Sequence, residues 1–412
     1  MRITIPEIAV VALIGASGSG KTTFARRHFK PTEVLSSDYF RALVSDDENN
    51  RHVAKEAFDA LYYVAGKRLG LGLLTVIDAT NVQKEARASV LRLAKEQNCH
   101  AVAIVMDMPE ELCKERNEKR SDRSFGGHVI TRQKEQLRRS LRHLQKEGFR
   151  HVFVLKNEEE ASGAQIVRTP LWSNKKDETG PFDIIGDIHG CYDELCSLLE
   201  KLGYSVDRAN HKAAPPEGRK AVFLGDLCDR GPKNAETLRL VMGMVGSGFA
   251  YCLVGNHDAK LLRKLRGSDA KLTHGFEKTV NQLGLQSDGF SEEVKTFIAG
   301  LISHYVFDGG KLVVVHAGLA EKYQGRASGR VREFCLYGDT TGETDEYGLP
   351  VRLPWAGDYR GRATVVYGHT PTPVVENINN TYCIDTGCVF GGHLTALRYP
   401  EKEIVQVQAL QE

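Results

Sequence analysis

Residues 8–22 read Ile8-Ala9-Val10-Val11-Ala12-Leu13-Ile14-Gly15-Ala16-Ser17-Gly18-Ser19-Gly20-Lys21-Thr22. The apolar run has no polar face, which predicts a strand buried on both sides, as in a parallel sheet. The glycines after it let successive backbone N–H groups turn inward around phosphate oxygens, and a helix opening at Lys21 adds its positive end. Gly15, Ser17, Gly18, Ser19 and Gly20 form that cradle. Lys21 is placed to reach β- and γ-phosphates, and the Thr22 hydroxyl to ligate Mg2+. A glycine-rich turn without a nucleotide is the alternative, but the full octet between strand and helix argues against it.

Outward from this stretch, short apolar runs recur at 73–77, 101–106 and 151–155, separated by helical stretches at 51–69, 84–97 and 131–146. That alternation predicts a doubly wound α/β domain, a parallel sheet with helices on both faces. It is expected to span residues 1–165, with a polar, Gly- and Pro-containing linker over 166–180. A second domain, 181–412, restarts with a strand at 182–185, followed by others at 220–224, 250–254, 311–315, 363–366 and 381–384. Residues 324–362 show little periodicity and read as an excursion over the active face.

The bulk numbers agree with two domains. The chain has 412 residues, 41% of them hydrophobic and 26% charged, with no apolar run near the ~20 residues a membrane span needs. No secretory pattern opens the chain, and the nine cysteines are scattered without a framework. Reduced thiols and a cytoplasmic location follow as expectations. A net charge of +2 hides a basic stretch at 116–150 and acidic islands at 46–48 and 158–160. The basic stretch fits polyanion binding or, as the first reading, the solvated face of a helix.

Three features bear on what the N-terminal domain does with a nucleotide. Asp38, just after a short strand at 33–35, would face the γ-phosphate, where it can accept the proton of an acceptor hydroxyl; equally, it can cap a helix. Arg41 would hold an acceptor phosphate. Arg116 and Arg123 lie in an Arg-rich segment suited to a lid that neutralises developing charge and excludes water. Asp78 is an outer-sphere Mg2+ partner or only a strand-end carboxylate.

The second domain carries Gly186-Asp187-Ile188-His189-Gly190, then Gly225-Asp226-Leu227-Cys228-Asp229-Arg230-Gly231, then Gly255-Asn256-His257-Asp258, and isolated His316 and His369. Each block follows an apolar run, at the strand ends where α/β sheets bind ligands. Hard oxygens mixed with imidazoles suit Mn2+, Fe or Zn2+ rather than a thiolate site, and a bridging carboxylate lets two ions sit ~3.5–4 Å apart and share a water.

These blocks resemble the calcineurin-like binuclear metallophosphoesterases. The resemblance implies an α/β domain with a central β-sandwich flanked by helices. It implies Asp187, His189 and Asp226 on one metal, and Asp226, Asn256, His316 and His369 on the other, with Asp226 bridging. His257 would protonate the leaving oxygen, oriented by Asp229 or Asp258, and Arg230 would clamp phosphate. Mn2+ is the metal expected, although the ligand types fit Ni2+ and Co2+ as well.

Taken together, the P-loop with Asp38 and Arg41, the lid arginines Arg116 and Arg123, the metal blocks, and the late block Ile384-Asp385-Thr386-Gly387-Cys388-Val389-Phe390-Gly391-Gly392 resemble the bacterial polynucleotide kinase-phosphatases of RNA repair. The resemblance implies ATP (or another NTP) with Mg2+ and phosphorylation of 5′-OH RNA or DNA ends, broken RNA first. It also implies removal of 2′- or 3′-phosphates or opening of 2′,3′-cyclic phosphates. A small-molecule P-loop kinase fused to a dinucleotide or protein phosphatase is the alternative. Members of that family usually continue into a ligase-like domain with a Lys-x-Asp-Gly motif; this sequence has no such motif, as in a two-domain fragment or a shorter natural member, so self-sufficient sealing is not expected. A separate ligase domain or RNA-modifying protein is an expected partner, no membrane is, and a homodimer is one assembly the sequence allows.

Overall fold

The computed structural model describes residues 1–119, 126–269, 273, 275–287, 289–344 and 350–410. They form two compact units: Met1–Leu171 with Arg326–Ser328, and Trp172–Gly325 with Gly329–Glu412. Residues 166–180 are not a free linker. They complete the strand Gln165–Thr169 in the first unit and supply Asn174–Lys175 to a sheet of the second. Backbone pairing, rather than composition, decides their state.

In the first unit the sheet runs Val34–Ser36, Thr75–Asp78, Ala9–Ile14, His100–Met106, His151–Leu155, every neighbouring pair parallel. Ala9–Ile14 is the central strand and is buried along its whole length, as its unbroken apolar run requires. Helices Ala54–Gly70 and Lys84–Glu96 contribute to the apolar cluster on one face, and helix Lys21–His28 to that on the other. Arg2–Pro6 pairs with Gln165–Thr169 beside this sheet. The helix expected at 131–146 is instead Gly127–Ser140, a 3-10 turn at Leu141–His143, and a short helix Leu144–Glu147. The apolar side chains Leu137 and Leu144 stay on the core across that break.

In the second unit, one sheet runs Ala250–Cys252, Lys220–Phe223, Phe182–Ile185, His393–Tyr399, Glu403–Gln408. The other runs Glu376–Ile378, Thr381–Cys383, Thr364–Tyr367, Leu312–Val315, His304–Phe307, Asn174–Lys175. Phe182, Ile184, Val222 and Leu397 from the first sheet pack against Phe307, Leu312, Val314 and Val366 from the second. This is a β-sandwich. Helices including Tyr192–Lys201 and Asn234–Gly246 bury their apolar faces against the outside of the first sheet. Within 324–362, Val331, Phe334, Cys335, Ala356 and Tyr359 share an apolar cluster with Val313, Val315 and Val365 of the second sheet, so much of the expected excursion is packed structure. No helix among the described residues is long and apolar enough to cross a membrane.

Candidate active sites

The five blocks quoted above leave the carboxyl ends of strands: Asp187 after Phe182–Ile185, Asp226 after Lys220–Phe223, Asn256 after Ala250–Cys252, His316 after Leu312–Val315, and His369 after Thr364–Tyr367. The tight turns there force unusual backbone. His189, Asp226, Asp229, Arg230 and His369 all have positive φ, between 48 and 76°. Left-handed backbone costs a non-glycine residue of order 1 kcal/mol or more, and its clustering marks a site held in place by its surroundings.

Asp226 sits at the centre. Its Oδ2 lies 3.6 Å from His189 Nε2 and 3.6 Å from His316 Nε2, while its Oδ1 accepts the His257 N–H at 2.9 Å. Two clusters whose donor atoms lie within 4.8 Å of one another share it: His189, Asp226, His257 and Asp226, His316, His369. His189 donates Nδ1–H to Cys228 O (2.9 Å), and His316 donates Nδ1–H to Leu224 O (3.1 Å), so both rings turn a bare Nε2 inward. His316 Nε2 then faces Asn256 Oδ1 at 3.0 Å and His369 Nδ1 at 3.2 Å. The Asn256 contact sets a carbonyl oxygen against a bare ring nitrogen, acceptor against acceptor, which is unfavourable unless a cation lies between them.

Asp187 makes the same point. Its Oδ2 accepts the His369 N–H at 3.1 Å, but its buried Oδ1 has no hydrogen-bond partner. A Cβ on Gly368 would lie 2.2 Å from that oxygen, so only glycine leaves it room. Burial first, then the carboxylates of Asp385 and Asp226, push the Asp187 carboxyl well above its ordinary range. Burial also lifts Asp385 to about 6 and lowers His189 to about 4. At Asp226 burial opposes ionisation, but the imidazoles of His316, His257, His189 and His369 outweigh it and hold the carboxyl low. Crowded carboxylates and buried imidazoles together are the donor set of a divalent-metal centre.

His257 and Asp258 separate into different tasks. His257 Nδ1 lies 2.6 Å from Asp229 Oδ2, whose other oxygen accepts Thr279 Oγ1–H at 2.6 Å. Thr279 Oγ1 in turn accepts the Asp229 N–H at 3.0 Å. Asp229 is therefore the carboxylate that orients His257. Asp258 instead accepts the backbone N–H groups of Asp226 (2.8 Å), Leu227 (3.1 Å) and Gly255 (2.9 Å), tying two strand-end loops together. The Arg230 guanidinium packs 4.9 Å from the Phe390 ring centroid. Arg352 lies 2.9 Å from His369 Nε2 and donates to Thr370 Oγ1 at 2.9 Å.

In the first unit the P-loop borders a cleft of about 1440 Å3. Helix Lys21–His28 begins after Gly20 with no side chain capping its first N–H groups. Lys21 Nζ donates to Gly15 O (2.9 Å) and Ala16 O (2.8 Å), and Thr22 Oγ1 donates to Asp78 Oδ2 at 2.7 Å. Asp78 is thus joined to the Mg2+-competent hydroxyl, with its carboxyl raised by burial. Gly18 has φ 78°, and a Cβ there would meet Cys113 O at 2.2 Å. Asp38 does not cap its helix: Ser36 holds the cap position of Ser37–Ser45, and Asp38 sits in the first turn paired with Arg41. Arg41 Nε also donates to Glu48 O at 2.7 Å. Arg116 lines the cleft, 3.5 Å from where a Gly20 Cβ would stand, and pairs with Glu158. Arg123 lies outside the described residues.

Several neighbours of these sites have no sequence mark. Thr279 and Arg352 arrive from distant segments, and Gln133 Oε1 accepts the Ser17 N–H at 2.8 Å from helix Gly127–Ser140. Asp385 was legible: it follows the strand Thr381–Cys383 as the other acids follow theirs.

The profile of calcineurin-like phosphoesterases matches residues 180–396, and that of an AAA domain matches residues 10–146. The bis(5′-nucleosyl)-tetraphosphatase PrpE (asymmetrical) of Halalkalibacterium halodurans is 47% identical over 234 residues, which are 56% of this chain and 94% of that protein. Its Bacillus subtilis counterpart is 46% identical over 230 residues, 55% of this chain and 93% of its own length. A solved structure described provisionally as a diadenosine tetraphosphatase aligns at 26% identity and a TM-score of 0.43, covering 58% of this chain and 98% of its own.

Proposed function

The chain belongs to the calcineurin-like phosphoesterase family, and from that premise we propose that its second unit hydrolyses dinucleoside polyphosphates, while its first transfers a phosphoryl group from ATP to a hydroxyl. The observation that carries the hydrolase reading is Asp226 Oδ2, equidistant from the inward nitrogens of His189 and His316. Asp187, His189 and Asp226 would hold one divalent ion, and Asp226, Asn256, His316 and His369 the other. Such ions, Mn2+ in this proposal, supply Lewis acidity toward phosphoryl oxygens and a water of lowered pKa. Arg230 binds the phosphoryl oxygens. His257, held by Asp229, gives its proton to the departing oxygen. The polyphosphate substrate comes from the names of the relatives.

In the first unit, Lys21 and the P-loop N–H groups hold the ATP phosphates, Thr22 and Asp78 hold Mg2+, and Asp38 takes the acceptor proton. Asp38 and Arg116 begin in ion pairs with Arg41 and Glu158, and both pairs open when substrate competes for them. Arg123 is kept as a lid arginine of this proposal.

One observation favours a polynucleotide end as the kinase acceptor. Tyr39, 62% exposed, lines the cleft beside Asp38, where a terminal base can stack. On that second reading the chain heals RNA or DNA ends, and a ligase is its partner.

A direct comparison tests both. Mn2+-loaded protein given diadenosine tetraphosphate is expected to release adenosine mono- and triphosphate, read by ion-exchange chromatography. Removal of a 3′-terminal phosphate from RNA without cleavage of the dinucleotide would replace the first reading with the second. Transfer of label from ATP to a 5′-OH oligonucleotide, set against nucleosides, identifies the kinase acceptor.

A further inference from the structure

Residues Cys388–Phe390 form a 3-10 turn between Gly387 and Gly391, both with left-handed backbone (φ 68 and 88°). The turn is fixed by its own backbone: Phe390 N donates to Gly387 O (2.9 Å), Gly391 N to Cys388 O (3.0 Å) and Gly392 N to Gly387 O (3.0 Å). It is also fixed to the carboxylates around Asp226, because Gly387 N donates to Asp385 Oδ1 at 3.0 Å. The Asp385 carboxyl feels the charges of both Asp226 and Arg230. A rigid turn thus starts at the cluster and ends by presenting one aromatic side chain.

That side chain contributes little to the core, since Phe390 is 61% exposed. Arg230 covers part of it, with Cζ 4.9 Å from the ring centroid, and the rest faces solvent. Arg230 Nε is itself buried without a hydrogen-bond partner. A cation–π pair at the rim of a phosphoryl site offers one group for a phosphate and another for a flat ring joined to it.

We propose that Phe390 is a specificity-determining residue, on which the nucleobase attached to the phosphate at Arg230 stacks. This rests on the reading of the second unit as a nucleotide phosphoesterase with Arg230 on the phosphate. Stacking is indifferent to base identity, because every base has a π-face, so the residue selects nucleotides over base-free phosphates rather than one nucleotide over another. The alternative is that Phe390 only props up Arg230.

Competitive inhibition separates these possibilities in the full-length, Mn2+-loaded protein. For Phe390→Ala, the inhibition constant of adenosine monophosphate is expected to rise about tenfold, the range of one base–aromatic stack. That of inorganic phosphate should stay at the wild-type value, and Phe390→Trp should restore nucleotide affinity. An equal rise for phosphate and nucleotide would make Phe390 a prop for Arg230, and no rise in either would leave it without a role; both overturn the proposal. The parent reading fails separately, if wild type does not cleave diadenosine tetraphosphate. The same inhibition constants, measured with a 3′-phosphorylated oligonucleotide as substrate, then still decide whether Phe390 stacks a base.

Discussion

Asp229 shows what a single side chain does here. It is fully buried, yet each of its oxygens has one committed partner, His257 Nδ1 and Thr279 Oγ1. Asp229→Asn replaces the carboxylate that accepts from His257 Nδ1 and fixes its ring, and is expected to lower kcat about 100-fold with little change in KM. Thr279→Val leaves the charge but frees the carboxylate to rotate, so a smaller loss of kcat should follow. Steady-state kinetics on the two variants check the order. An asparagine variant that kept full activity would remove His257 and Asp229 from the proton transfer. Gly368→Ala makes a different demand, placing a methyl against Asp187 Oδ1. The expected result is weakened Mn2+ binding in a folded protein, read by calorimetric titration alongside circular dichroism.

At the scale of elements, the pair Glu33–Arg168 ties the turn before strand Val34–Ser36 to strand Gln165–Thr169 through two hydrogen bonds of 2.7 Å. Burial opposes ionisation of Glu33, but the Arg168 contacts outweigh it and its pKa is lowered. A depressed carboxyl stabilises the fold above the ordinary value of 4.5 and loses that contribution as pH falls through the lower, folded value. The melting temperature of the wild type should therefore drop more steeply below pH 4.5 than that of Arg168→Met. The variant itself should cost about 1–3 kcal/mol at neutral pH. Parallel pH profiles in the calorimeter would contradict this. Gln165–Thr169 is also where sequence reading stops. Strand Ala9–Ile14 was legible because an apolar run buried on both sides needs no partner to be recognised. Gln165–Thr169 is a strand only because Arg2–Pro6 pairs with it, and a pairing across ~160 residues leaves no periodic trace. The same holds in the site. Asp187, Asp226 and His316 were marked by the strands they end, whereas Thr279 and Arg352 reach it from segments whose own patterns say nothing of metal.

For the whole molecule, each unit buries cores of its own. The activities should therefore separate cleanly. Lys21→Ala should abolish phosphoryl transfer from ATP and leave phosphoesterase rates within twofold, roughly the scatter of such measurements. His316→Ala should do the reverse. Loss of both activities in either variant would mean that the chemistry of one unit depends on the other. The proposal at the centre is narrower: one carboxylate, Asp226, would join two cations. Two manganese ions bridged by a carboxylate at ~3.5–4 Å are magnetically coupled, which electron paramagnetic resonance detects directly. The protein loaded with two equivalents of Mn2+ should give the broad multiline spectrum of a coupled pair, and Asp226→Asn should lose it. A six-line spectrum of isolated ions in the wild type, or binding that saturates at a single ion, would contradict the two-metal account.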